Sequence, residues 1–438
     1  MQPLSKLFAA ITARAEFLAF AAATSTQALG ALIAGVACYR WLEPADMGIW
    51  ALLQSYQVWM DLFKLGIPSG LTRQIAYHLG LGAASGAAET VSTAEGATRA
   101  TLAFGTVVFA LIALPMSTRG TNWKWGIGAA AVAWVASTYA AYVQASCRSS
   151  PDFRQLSRVL VMDAAVGFIL LALVPYFGFV GFCLRSAIQP IILVAALHRI
   201  RPFSSQVDFH LERFGELLKI GLPLFGGGYL LQLAGNAERL MLGWYDISPS
   251  VVGLLSPAQS VQSAMLLLPS TVLTYAYPKL SFQHARSESI TKLWRKSLLA
   301  SALSIGFCVC LSIPLWFLIP TFVPALFPKF GDSVLSMQLA LIAAPFLAIR
   351  PTTALLPVLK AWWAYYLWVV VLVASKFALC FVLIPRLEPL LAVSLANVAA
   401  CALTFLAILI GSFYACERAA ARIADESCVK FKAPQEQG

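Results

Sequence analysis

Gln54, Gln57, Asp61, Lys64 and Pro68 follow one another at steps of 3, 4, 3 and 4 in an otherwise apolar stretch. On a helix that spacing gathers them on one face, leaving Leu52, Val58, Trp59, Leu62, Phe63 and Leu65 on the others. The chemistry of such a stripe is binding. Amides suit hydroxyl-rich ligands, an ammonium suits an anion, and a carboxylate can carry a proton or pair with the lysine three residues on. A charge at mid-bilayer costs roughly 2.5–3.5 kcal/mol. The stripe therefore lines a water-filled space, or Asp61 and Lys64 neutralise each other and tie helices together.

The stripe belongs to a repeat. Pro44-x3-Gly48-x5-Gln54-Ser55-x-Gln57 returns as Pro249-x3-Gly253-x5-Gln259-Ser260-x-Gln262, an offset of 205 (249 − 44) that also pairs Gln27 with Gln232 and Gly30 with Gly235. Duplicated halves with polar residues at matched membrane depths are a common transporter plan. The copies differ where charge is concerned: Leu266 and Pro269 stand for Asp61 and Lys64. The expectation is a charged wall in the first half and a more neutral one in the second.

Further polar residues interrupt apolar stretches. Gln232, Asn236 and Arg239 share a helical face, with Glu238 about 100° round from Arg239, near enough to a span end for an interfacial role. Arg185 and Lys376 have no acid within a helical turn. Each must meet another helix's acid, water or an anionic ligand, or, for Arg185, snorkel to the interface. Asp163 reads as an interfacial residue. Gly226-Gly227-Gly228 follows Pro223 but lacks the strand and the Lys-Ser/Thr of a phosphate loop, so it is expected to bend its helix.

Composition dictates what positions these residues. Of 438 residues, 59% are hydrophobic and 12% charged, against about 25% charged in soluble domains. Twelve apolar stretches reach the roughly 20 residues that a span needs: 16–39, 48–76, 98–117, 125–147, 159–178, 180–198, 218–242, 250–278, 297–320, 334–358, 363–385 and 390–414. They are continuous and do not alternate, which excludes a β-barrel. The fold class is an all-α integral membrane protein of about twelve spans. It falls into an N-terminal half (1–205), a C-terminal half (206–416) and a polar tail (417–438), with Ser204-Ser205 in the linker.

The net charge of +11 reports orientation. Lys and Arg crowd alternate loops (Arg148, Arg154 and Arg158; Arg199, Arg201, Arg213 and Lys219; Lys279, Arg286, Lys292, Arg295 and Lys296; the tail) and are sparse in the others. By the positive-inside rule both termini are cytoplasmic, and six spans per half make the halves parallel. No basic and aromatic patch stands outside this pattern, so nucleic acid is not an expected partner. The first apolar segment, flanked by Arg14 and Glu16, is too long for a signal peptide. The nine cysteines fall mostly within spans, without zinc spacing, and read as packing residues. The four histidines, His78, His198, His210 and His284, fall in loops. No Walker or His-Glu-x-x-His motif is present, no metal or cofactor is expected, and short outer loops leave no room for a catalytic domain.

Three motifs carry a resemblance. Leu42-Glu43-Pro44-Ala45-Asp46-Met47-Gly48, with Asp61-Leu62-Phe63-Lys64-Leu65-Gly66, resembles the early region of Wzx-type polysaccharide flippases. Lys219-Ile220-Gly221-Leu222-Pro223, with Glu238-Arg239-Leu240, resembles their seventh span, where Asp is frequent at the Glu238 position. Tyr275-Ala276-Tyr277-Pro278-Lys279-Leu280-Ser281 resembles the end of their eighth. The resemblance implies two six-helix lobes around a central cavity, within the multidrug/oligosaccharidyl-lipid/polysaccharide superfamily. It also implies transfer of an undecaprenyl-pyrophosphate-linked oligosaccharide to the outer leaflet of a bacterial inner membrane, with no enzymatic step. A polysaccharide polymerase and co-polymerase would be partners, alongside membrane lipids. On that reading Lys64, Arg185, Arg239 and Lys376 are candidate diphosphate contacts, and Gln54, Gln57, Gln232, Asn236, Gln259 and Gln262 candidate glycan contacts. Asp61 and Glu238 are candidates for ion coupling. The alternatives are a multidrug or cation antiporter of the same superfamily, and a membrane glycosyltransferase, polymerase or ligase.

Overall fold

Proline marks where many of the helices begin. It fixes φ and lacks an N–H that a first turn would leave unpaired, and Pro44, Pro249 and Pro389 each open a helix. The computed structural model describes residues 22–148, 153–203, 208–285 and 289–432. Arg14, Glu16, Ser204-Ser205, Arg286 and the end of the tail lie outside them. The helices are α1 (Ala22–Cys38), α2 (Pro44–Asp61), α3 (Ile67–Gly80), α4 (Ala84–Ala113), α5 (Thr121–Arg148), α6 (Phe153–Leu171), α7 (Leu173–Arg199), α8 (Leu211–Trp244), α9 (Pro249–Ala285), α10 (Ile290–Leu326), α11 (Val334–Leu347), α12 (Leu355–Val358), α13 (Trp362–Leu383) and α14 (Pro389–Lys432). No strand occurs among the described residues.

The protein is an all-α, multi-pass membrane protein, and over the described residues the expected spans fall mainly on helix. Among the described residues eight helical segments are long and apolar enough to cross a bilayer. A ninth, α8, bends by 50° between Leu211–Pro223 and Phe225–Trp244. The bend falls at Pro223, whose ring cannot continue the hydrogen-bond ladder, just before the glycine triplet. Gly178, at φ +56°, breaks the helical run at the start of α7, where the sequence places the turn between the fifth and sixth spans.

The second expected span departs from the reading. It is two helices, α2 and α3, joined by a 3-10 turn at Leu62–Lys64 and by Leu65 and Gly66 at positive φ. Pro68 follows in the first turn of α3. The single polar face drawn from Gln54 to Pro68 therefore ends at Asp61.

The chain forms two compact units, Met1–Gln232 with Ser248–Gly253, and Leu233–Ile247 with Leu254–Gly438. In the first, Ile67, Leu71 and Ile75 of α3 pack with Val91 of α4, Tyr142 and Val143 of α5, Leu156 of α6, Leu197 of α7 and Leu217 of α8. In the second, Leu280, Ile290, Leu293 and Leu355 form one cluster with Cys416, and Ala343, Leu347 and Cys401 another.

The repeated glycines are used at close crossings within the first unit. A Cβ on Gly48 would overlap the Pro249 carbonyl, and one on Gly253 would overlap that of Pro44. The two copies of Pro-x3-Gly thus touch reciprocally, backbone against backbone. Gly66 and Gly221 meet in the same way.

Candidate functional site

Asp61 ends α2, and its carboxylate collects three donors. Lys64 Nζ and Trp134 Nε1 lie 2.6 and 2.7 Å from Oδ1, and Gln232 Nε2 lies 2.5 Å from Oδ2. One turn earlier Gln57 Nε2 donates to the Ala130 carbonyl at 2.7 Å. Asp61 with Trp134 and Gln57 with Ala130 share a separation of 73 residues, so α2 and α5 run parallel in register. The Asp61–Lys64 pairing expected from the spacing is present, and it also anchors two neighbouring helices.

The repeat separates two kinds of glutamine. Gln57 is spent on α5, and its counterpart Gln262 accepts from Asn397 Nδ2 at 3.0 Å and contacts Cys401. Gln54 and Gln259, the other equivalent pair, are exposed and half-buried, and neither bonds another described residue. The amides of this pattern without a bond to another described residue are thus Gln54 and Gln259.

In the second unit Lys376 Nζ of α13 lies 2.5 Å from Glu238 Oε1 of α8, with side chains only 7% and 5% exposed. The acid that Lys376 needed is on another helix. The expected neutral character of the second half holds for α9, where Leu266 packs beside Ala343, Leu347 and Cys401. It fails for the unit, because α8 and α13 supply a buried charge pair that the repeat did not mark. Asn236 and Arg239 are half-buried on α8.

Arg185 is not snorkelled. It is buried, its Nε donates to the Gly167 carbonyl at 3.0 Å, and it lines a cavity of about 310 Å³ with Thr24, Gln27, Asp163 and Gln189. Asp163, read as interfacial, is 4% exposed. Gln27 donates to Oδ2 at 2.7 Å and Gln189 to Oδ1 at 3.3 Å. Its donors come from α1 and α7.

Residues 37–327 match the polysaccharide biosynthesis protein family. The chain belongs to that family. Among curated proteins none matches it in sequence. Its fold is similar to solved structures of multidrug resistance transporters. One is a MATE family transporter of the MOP superfamily in an inward-facing conformation, at 14% identity and a TM-score of 0.77, covering 93% of this chain and 96% of that one. The outward-facing conformation gives 13% and 0.63 over the same shares. A eukaryotic MATE transporter, AtDTX14, gives 14% and 0.61, covering 94% and 99%. At these identities the likeness is one of fold: helical, membrane-embedded and two-lobed.

This polysaccharide biosynthesis family member also holds a cluster that sequence reasoning missed. Glu95 of α4 is fully buried. It pairs with Arg201 and, at 2.7 Å, with Arg99, and accepts from Tyr139 at 3.2 Å. Arg201 also donates to the Tyr142 hydroxyl at 2.9 Å. Further along the linker the Asp208 carbonyl accepts from Ser92 at 2.8 Å, and Arg213 reaches Glu89 at 3.3 Å. The linker between the halves is thus strapped along α4. Glu95 and Arg99, four apart, were visible in the sequence; Arg201, 106 residues away, was not.

Proposed function

We propose that the protein moves an undecaprenyl-pyrophosphate-linked oligosaccharide from the cytoplasmic to the outer leaflet of a bacterial inner membrane by alternating access, without enzymatic chemistry. Both termini are then cytoplasmic, the halves 1–205 and 206–416 act as its two lobes, and a polymerase with its co-polymerase takes the product. One observation carries the choice of substrate. Each buried acid described within the helices already has a basic or amide partner: Asp61 has Lys64, Trp134 and Gln232; Asp163 has Gln27 and Gln189; Glu238 has Lys376; Glu95 has Arg99 and Arg201. A cationic drug needs an acid without such a partner, whereas an anionic glycolipid needs cations and amides. Gln54 and Gln259 suit sugar hydroxyls, and Lys64, at the rim of its cluster with 22% of its side chain exposed, suits a phosphate.

The test is a deletion strain. Lipid-linked precursor should accumulate on the cytoplasmic side, and this chain should relieve the block, less well with Gln54→Ala and Gln259→Ala together. Unchanged precursor in the deletion strain, combined with efflux of cationic dyes by the purified protein in vesicles, would replace this reading with the antiporter one.

A further inference from the structure

Arg350 belongs to none of the residues singled out by spacing, because an apolar run, 334–358, carries it. The structure makes it unusual. α11 stops at Leu347, and Arg350–Ala354 form a 3-10 turn before the single turn of α12. Pro345 and Pro351 account for the break. The turn is held rigidly: Ser301 Oγ of α10 lies 2.9 Å from the Ile349 carbonyl, 2.9 Å from the Thr352 N–H and 2.7 Å from Thr352 Oγ1. Broken backbone at membrane depth requires such satisfaction from the protein, and in transporters it accompanies binding sites.

Among the described residues the guanidinium on this fixed turn has no carboxylate partner. Its Nε is buried with no hydrogen-bond partner. The titratable side chains close enough to act on it are Cys401 and Tyr365, neither of them a carboxylate. A second orphan donor stands one turn along α13 from Tyr365: Trp368 Nε1 is buried without an acceptor among the described residues, and its ring centroid lies 6.1 Å from that of Tyr365. The acid of this unit's helical interior, Glu238, is already held by Lys376. Arg350 itself is half-buried.

Two buried donors around one tyrosine, with no acid, define what is missing. A buried donor left unmade costs about 1–3 kcal/mol, more for a charged group, and native proteins rarely keep one without a use. The missing group carries negative charge and several acceptor oxygens. A phosphoryl group meets both requirements, and its oxygens match the guanidinium fork. Sugar hydroxyls bring no charge, and an organic cation would be repelled. We propose that Arg350, with Tyr365 and Trp368 beside it, is the oxyanion site of the C-terminal unit and takes the phosphoryl groups of an isoprenoid diphosphate. The assignment rests on the transport reading for its ligand. Within this unit it moves the diphosphate contact from Lys376, which Glu238 neutralises, to a residue of the broken helix.

The test uses the detergent-purified full chain and three probes: farnesyl diphosphate, farnesol and inorganic pyrophosphate, with binding read from tryptophan fluorescence and thermal shift. Farnesyl diphosphate should bind and farnesol should not. Arg350→Gln should weaken binding about tenfold or more, the loss that one charge-assisted hydrogen bond implies. Arg350→Lys should fall between, because it keeps the charge and loses the fork. Trp368→Phe keeps an aromatic ring but removes the N–H together with part of the buried indole's volume, so its thermal unfolding is read beside its affinity; it tests the site even where Arg350→Gln folds poorly, and should weaken binding a few-fold. Equal affinity of wild type, Arg350→Gln and Trp368→Phe would overturn the proposal, as would wild-type protein that ignores farnesyl diphosphate. Inorganic pyrophosphate binding as tightly as farnesyl diphosphate would overturn the isoprenoid part. Rescue of the deletion strain separates the two readings. Arg350-dependent binding without rescue sinks the transport function alone, and rescue with Arg350-independent binding sinks the site alone.

Discussion

Breaking the Glu238–Lys376 pair should cost the protein a large part of its stability. The ions are 2.5 Å apart and 5% and 7% exposed, so removing one leaves the other as an uncompensated buried charge. Breaking a buried pair in this way costs roughly 3–5 kcal/mol, and Glu238→Gln and Lys376→Met should each fall in that range. The double variant leaves no stranded charge and should recover to within about 1–2 kcal/mol of wild type. Reversible unfolding in mixed micelles, followed by tryptophan fluorescence, measures all four proteins of the cycle. A double variant as unstable as the sum of the singles would refute the reasoning. So would singles that each cost less than about 1 kcal/mol, the range of an exposed pair.

Three further outcomes are expected. Gly48→Ala and Gly253→Ala should each sharply reduce folded, monodisperse protein on gel filtration, because each Cβ meets backbone across the crossing. Gly35→Ala, with nothing within 4 Å, should not. Arg201→Gln should destabilise by about 3–5 kcal/mol and Arg99→Gln by less than about 1; both arginines hold Glu95, but their side chains are 3% and 53% exposed, and chemical unfolding resolves the difference. Asp163→Leu leaves the Gln27 amide without its acceptor, while Gln189 keeps the backbone carbonyl at that position, so it should cost about 1–3 kcal/mol, with Asp163→Asn recovering part of the loss; thermal unfolding of the two proteins side by side checks the order.

What the sequence made legible was whatever local spacing encodes. Asp61 and Lys64 are three apart and pair; Pro223 bends its helix; the repeat places Gln54 with Gln259. What it hid was the partner supplied from afar. Lys376, with no acid within a turn, left open another helix's acid, water or an anionic ligand, and Glu238 lies 138 residues away. Glu95 and Arg201 are separated by 106. Continuous hydropathy also concealed geometry. It carried the second span through Leu65-Gly66 as though the helix were unbroken, although a glycine two residues before a proline was visible there, and it carried the tenth span past Arg350.

The divergence between the two copies of the repeat then has a mechanical meaning. Asp61 and Lys64, lost as Leu266 and Pro269, form a pair within one turn of chain, 2.6 Å apart. The charges of that pair stay on one stretch of chain, and only the neutral donors of Trp134 and Gln232 tie its carboxylate to α5 and α8. The pair of the second unit joins α8 to α13, so any shift of one helix against the other must stretch it where water cannot compensate. The glutamines recur in both copies. The apolar residues at the matching positions of α9 do not make the second unit neutral: the ionic contact there spans two helices, on a helix already bent at Pro223. A motion of α8 during transport is then expected to carry α13 with it, and the cycle built on Glu238→Gln and Lys376→Met reports on that coupling as well as on stability. Variants that keep the fold but free α8 from α13 should alter transport even where unfolding returns to wild-type values.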